Sequence, residues 1–204
     1  MITLNGNVLC AIDVETTGLN PGFHEITQVC FLPLDNNLKP RKDIVPFDLW
    51  LKIDHEERID WSALKLSKIN FFKHQQQAID KYRAADLFED WVEKLKLPIN
   101  KRISPLAHNW PFDRAFIWDW LQPTGFGTYI DGRFRDSMSL AISINDIYER
   151  MAEPVPFPKV NLSYLCSMLK IPHEGAHTAI NDCVVTAEAY KELIKTKGYL
   201  DGTS

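Results

Sequence analysis

The sequence predicts one α/β domain. Short β-branched apolar runs dominate the start of the chain, and the apolar spacing then switches to a helical period. A further short apolar run falls between helical segments, as alternating α and β elements require. At 204 residues the chain is close to one large domain and tight for two, so a single domain over 1–204 is expected.

Val8 to Val14 reads as a buried strand, closed by Thr16-Thr17-Gly18 and the turn residues Asn20-Pro21-Gly22. Ile26 to Leu34 and Phe47 to Ile53 are further strands, and sequential hairpin-like pairing of the three is expected. From Ser62 to Leu97 the period is helical, with Ile79, Tyr82, Leu87, Trp91, Val92 and Leu95 as the apolar stripe. Ile103 to Ala107 is a short strand. Pro111 then suits a helix start, with Phe112, Ala115, Phe116, Trp118 and Leu121 on one face. The Gly-rich stretch around 125–135 reads as a loop or weak strand. Ser137 to Met151 reads as a helix, and Pro154, Pro156 and Pro158 enforce an extended loop. Two helices finish the chain. One spans Leu162 to Leu169 after an Asn161 cap; the other spans about Thr178 to Lys195, with Ile180, Cys183, Val184, Ala187 and Ile194 inward.

Composition narrows the function classes. The chain is 45% hydrophobic and 25% charged, which argues against disorder and fibrous repeats. The formal charge of -4 excludes a polybasic nucleic-acid coat but not a local basic groove. The N-terminal run stops at Asp13 without a basic leader, and no stretch approaches the roughly 20 apolar residues of a membrane span, so no membrane association is expected. Cys10, Cys30, Cys166 and Cys183 sit in apolar segments with no CxxC pair. They read as buried free thiols, in keeping with a reducing, cytoplasmic setting.

Three short segments carry the chemistry. In AIDVETTG, Asp13 and Glu15 point to the same face of a strand, and two adjacent carboxylates repel unless a proton or cation lies between them. Hard divalent cations such as Mg²⁺ take such oxygen ligands. In HNWPFDRAF, Asp113 falls in the first turn of a helix, where a carboxylate is also an ordinary partner of the helix dipole. In AHTAINDCVVTA, His177 and Asp182 are five positions apart, a rotation of about 140° on a helix. They converge only if His177 lies on the preceding loop and Asp182 one turn inside the helix.

Together, in this order, the segments resemble the DEDDh branch of the 3′→5′ exonuclease superfamily, which has a ribonuclease H-like mixed β-sheet flanked by helices. That group includes the proofreading epsilon subunit of bacterial DNA polymerase III, ribonuclease T and oligoribonuclease. DVETTG is similar to the first motif, HNWPFD to the second and HTAIND to the third. RDSMSLA at 135–141 and NLSYLCSMLKIP at 161–172 resemble softer family features. Trp110-Pro111 and the proline loop at 154–158 depart from the pattern and are expected to reshape the substrate groove.

The resemblance implies a two-metal site of Mg²⁺, or Mn²⁺, whose total charge of +4 offsets four carboxylates. Asp13 would bridge, Glu15 and Asp182 would complete one metal, Asp113 would serve the second, and His177 would be the general base. It also implies release of nucleoside 5′-monophosphates from a single strand with a free 3′ end. Thr16, Thr17, Gly18 and Leu19 would contact the terminal nucleotide, with Asn109, Trp110 and Phe112 also in substrate binding. Phe23 and the Phe71-Phe72 pair are further stacking surfaces, although core packing is the ordinary reading for Phe72 and Phe112. Lys73, Arg114, Arg133 and Arg135 are candidates for a phosphate path, against the ordinary reading of solvated charges. Single-stranded DNA is the expected substrate, with RNA ends or short oligoribonucleotides as the alternative. A catalytically silent nucleic-acid-binding module is a third reading. No stable polymerase partner is expected, and a homodimer like those of ribonuclease T and oligoribonuclease is left open.

Overall fold

Val8–Thr16 forms the central strand, β1, of a five-stranded sheet in a computed structural model that describes residues 5–173 and 178–200. β2 (Ile26–Pro33) pairs antiparallel with β1, and β3 (Phe47–Trp50) pairs antiparallel with β2. On the other side, β4 (Ile103–Ala107) and β5 (Arg135–Asp136) add in parallel, so the order is β3-β2-β1-β4-β5. The three sequence-predicted hairpin strands and the later short strand are all present.

A single 3₁₀ turn at Glu56–Arg58 precedes α1 (Trp61–Leu66), α2 (Phe71–Gln77) and α3 (Lys81–Lys94). The other helices are α4 (Trp110–Tyr129), α5 (Ser137–Arg150), α6 (Leu162–Met168) and α7 (Ala179–Leu200). Asp60, Asn70, Asp80, Asp136 and Asn161 each accept a backbone N–H of the helix they precede. Such caps contribute roughly 1 kcal/mol apiece and set where each helix begins. Among the described residues, no helix is long and apolar enough to cross a membrane.

Strand alternation sorts β1 between two helical layers. Cys10, Ile12 and Val14 pack with Val29, Phe31, Phe88, Trp91 and Ile117 beneath α3 and α4. Leu9 and Ala11 face the opposite way, packing with Cys30, Leu32, Ala179, Cys183 and Ala187 beneath α7. The small α7 side chains allow that helix to lie close to the sheet. The four cysteines are buried free thiols, as the apolar segments around them indicated.

The structure corrects several local expectations. The helical stretch from 62 to 97 is three helices, because Asn70 and Asp80 cap new starts and Lys68 takes a left-handed φ of 55°. Tyr82 is 73% exposed, and Ala84 and Phe88 are among the residues that fill the buried stripe of α3. Residues 125–129 are helical rather than loop. α4 kinks at Gln122, just before Pro123, then resumes, since the residue preceding a proline is steered out of the helical region. On α7, Leu193 is the buried residue, and Ile194 is 39% exposed. The proline loop is pinned to α5, with the Asn145 side chain bonding both backbone polar groups of Phe157, whose ring is buried.

Candidate active site

Asp13 and Glu15 leave β1 on its α7 side, and Asp182 enters from the first turn of α7. One carboxylate oxygen from each of the three lies within 4.8 Å of the other two. Gln28 on β2, opposite Glu15 in register, fixes the approach of α7. Its side-chain carbonyl accepts the Ala179 N–H (3.2 Å), and its amide donates to Asp48 on β3 (2.7 Å). The carbonyl therefore satisfies one of the N–H groups that a helix start leaves unpaired.

Asp113 arrives from the opposite layer. The chain leaves β4 and turns at Asn109, whose φ of 71° is a left-handed conformation that asparagine tolerates better than most residues. Trp110 N–H donates to Asp136 Oδ2 (2.5 Å), which anchors the start of α4 to the start of α5. Asp113 is then buried, with Oδ1 accepting the Val14 N–H at 3.0 Å. It is not one of the three whose oxygens meet within 4.8 Å, but its charge acts on Asp13.

The electrostatics are those of a site waiting for positive charge. Burial pushes the Asp13 carboxyl well above its ordinary range, and Asp113, Asp182 and Glu15 add like-charge repulsion. Burial also raises Asp113, opposed by the Val14 N–H. It raises Glu15 as well, opposed by a hydrogen bond from Ser67 Oγ to Oε2 (2.7 Å). Among the described residues, no Lys or Arg is ion-paired with any of the four. Clustered oxygen donors without a basic partner fit Mg²⁺ or Mn²⁺.

His177 lies outside the described residues. The histidine seen at the cluster is His173, whose Nε2 is 2.8 Å from Asp182 Oδ1. Neither His173 nor Ser67 was singled out in the sequence. Ser67 carries no pattern, and His173 sits where His177 drew the attention.

The loop after β1 is stitched from within. Thr16 Oγ1 donates to Gly18 C=O, Thr17 Oγ1 accepts the Glu25 N–H, and His24 Nδ1 accepts the Asn20 N–H. A Cβ on Gly18 would lie 2.3 Å from His24 Nε2, so the close neighbour that requires glycine is this ring. Leu19 is 79% exposed beside the loop, and Phe23 is half exposed with Arg58 over its ring.

Trp110 is 2% exposed and belongs to the core, stacked with Phe126. It therefore offers no surface to a substrate, and Trp110-Pro111 does not reshape a groove through that ring. Phe112 packs against Phe116 at the core margin. Phe72 is 78% exposed, contrary to the core-packing expectation, and continues an edge-on series from Trp61 through Phe71. Of the four candidate phosphate cations, Arg133 pairs with Asp131, Arg135 bonds Ser104 Oγ, and Arg114 lies over Trp118 and Phe126. Among the described residues, local partners thus engage all but Lys73.

A family model described as "Exonuclease" (RNase_T) matches residues 10–190, a span that holds all four carboxylates. The chain belongs to this exonuclease family. Solved structures agree on the fold of this exonuclease-family chain. Zinc-bound E. coli exonuclease I in complex with single-stranded DNA is 18% identical with a TM-score of 0.72, over 94% of this chain and 41% of that one. Cell-death related nuclease 4 is 18% identical with a TM-score of 0.70, over 93% and 64%. Exonuclease I from Methylocaldum szegediense is 17% identical with a TM-score of 0.70, over 96% and 43%. The exonuclease-family chain thus spans less than half the length of the exonuclease I proteins it resembles. No curated protein sequence matches it.

Proposed function

We propose that this chain is a metal-dependent 3′→5′ exonuclease domain, spanning 1–204, that removes nucleoside 5′-monophosphates from single-stranded DNA. The observation that carries this reading is the meeting of Asp13, Glu15 and Asp182 oxygens within 4.8 Å, with the buried Asp113 acting on Asp13. Membership of the exonuclease family supports it, and so does the fold shared with an exonuclease I whose structure is a complex with single-stranded DNA.

Divalent cations, when bound, would supply the positive charge that polarises water and the scissile phosphate. Asp13, Glu15 and Asp182 would hold them, with Asp113 completing the set from the α4 side. His177 would accept the proton of the attacking water at a ring nitrogen. The water oxygen would then bond to phosphorus as the P–O3′ bond breaks, and the departing 3′-oxygen would take a proton from solvent, leaving the shortened strand with a 3′-hydroxyl. The stitched Thr16–Leu19 loop would hold the terminal nucleotide without reading its sequence.

The strand behind that nucleotide would run over the 3₁₀–α1–α2 segment. This segment touches the site through Ser67 and exposes Trp61, Leu66 and Phe72. Lys65, Lys68 and Lys73 lie on the same segment with no ion pair among the described residues. Aromatic faces interleaved with cations bind single strands irrespective of sequence. The buried free thiols suit a reducing compartment, and we place the protein in the cytoplasm on that ground.

The test uses 5′-labelled single-stranded DNA and RNA of one sequence, with Mg²⁺, with EDTA, and with Asp182→Ala. A ladder shortening from the 3′ end, faster on DNA and dependent on both metal and Asp182, is expected. Faster loss of RNA would reassign the substrate. Binding without shortening of either strand would replace the enzyme with a nucleic-acid-binding module.

A further inference from the structure

We infer that His173 is a positioning residue for Asp182, an assignment that rests on the metal-site reading above. The ring bridges two helices. Nε2 lies 2.8 Å from Asp182 Oδ1 on α7, and Nδ1 lies 3.4 Å from Ser163 Oγ on α6. Both partners of the closer contact are well enclosed, with side-chain exposures of 11% for His173 and 13% for Asp182. One tautomer satisfies both ends: Nε2–H donates to the carboxylate while Nδ1 accepts from the serine hydroxyl.

The backbone leading to His173 is held as firmly as its ring. α6 closes with Lys170 in a left-handed conformation (φ 58°), and Ile171 N–H donates back to the Cys166 carbonyl at 2.8 Å. This is the way a helix C-terminus satisfies its last carbonyls and turns the chain in a set direction. Pro172 then limits the backbone further, so the imidazole projects from a short, constrained arm onto Asp182.

A carboxylate with one oxygen held by a fixed donor keeps its plane and presents its other oxygen in a defined direction. Ligating carboxylates are commonly oriented by such outer hydrogen bonds, and loss of one weakens metal affinity by about 10–100-fold. The Ser163–His173–Asp182 series gives Asp182 that support. Asp13 and Glu15 ride on a strand in register with β2 at Cys30 and Gln28, whereas Asp182 has the first turn of a helix beneath it.

The experiment measures Mn²⁺ binding by electron paramagnetic resonance in wild type, His173→Ala, His173→Gln, Asp182→Ala and the His173→Ala/Asp182→Ala double variant. Circular dichroism checks that each is folded. The Kd should rise about tenfold or more in His173→Ala. It should return to within about threefold of wild type in His173→Gln, whose amide N–H can replace Nε2–H. His173→Ala should add no further loss once Asp182 is gone. At saturating Mn²⁺, the kcat of His173→Ala should fall by a much smaller factor than the one by which its Kd rises. An unchanged Kd would overturn the inference. Tighter binding would make His173 a competitor for the carboxylate, and a collapsed kcat with a flattened pH profile would make it the reacting base. Failure of wild type itself to bind Mn²⁺ would overturn the metal-site reading and this inference together.

Discussion

Ser67 Oγ donates to Glu15 Oε2 at 2.7 Å, joining the turn after α1 to the central strand across 52 positions of sequence. The bond opposes the cost of burying Glu15 as an anion and fixes one carboxylate oxygen. Ser67→Ala should therefore raise the Mg²⁺ concentration needed for half-maximal turnover by about tenfold. The kcat at saturating Mg²⁺ should change much less. A metal titration of strand shortening reads both quantities, and an unchanged half-point would remove Ser67 from the site.

Removal of Asp182 should separate activity from stability. Asp182→Ala deletes a proposed ligand, so turnover should disappear. It also removes one charge repelling Asp13 and Glu15, so the metal-free variant should melt no lower than wild type near neutral pH. Differential scanning calorimetry in EDTA tests this, and a large drop in Tm would assign Asp182 a structural role instead.

The metal-free protein should lose stability as pH rises from the ordinary carboxylate range towards neutrality. Asp13, Asp113 and Glu15 all titrate higher folded than unfolded. Between the two values the native state holds more protons, so their contribution is present at low pH and is lost through the folded pKa. Asp60 and Asp131, held low by hydrogen bonds, act in the opposite sense below about pH 4. A mildly acidic optimum is expected in EDTA, and Mg²⁺ should raise Tm most at neutral pH. A Tm independent of Mg²⁺ at pH 7 would contradict the repulsion argument.

Two aromatic truncations should behave in opposite ways. Trp110→Ala empties a buried site and should cost about 3–5 kcal/mol in denaturant unfolding. Phe72→Ala removes an exposed ring and should change stability by no more than about 0.5 kcal/mol. It should nonetheless weaken binding of a long oligonucleotide while leaving turnover of a dinucleotide unaltered. Equal binding by Phe72→Ala would take α2 off the strand's path.

Gly18→Ala should displace the His24 ring and raise KM more than it lowers kcat, since its Cβ meets that ring rather than a metal ligand. Adding His24→Ala opens the space, so the double variant should recover part of the thermal stability lost by Gly18→Ala alone. Full additivity of the two losses would show that the ring is not the obstacle.

The features legible in the sequence were those written in short range. Alternation placed Asp13 and Glu15 on one face, and Asn161 announced α6 through its cap. The family resemblance brought Asp113 and Asp182 into the same set. What escaped needed contacts between distant elements. Nothing near Trp110 signals that Phe126 will bury it, because that contact forms only after α4 kinks at Gln122 and resumes. Ser67 and Gln28 are ordinary polar residues until the fold sets one against Glu15 and the other against the start of α7.

Gln28 has a consequence for where the enzyme can be tuned. Its amide links the α7 start, on which Asp182 rides, to Asp48 on the outermost strand. A shift of β3 by a fraction of an ångström would thus be relayed through two hydrogen bonds to a carboxylate of the reaction centre. The sheet margin, which touches no substrate in the proposed reaction, is therefore tied to the helix that carries Asp182. Drift in sequence around Asp48 should show up first as altered metal demand rather than as unfolding.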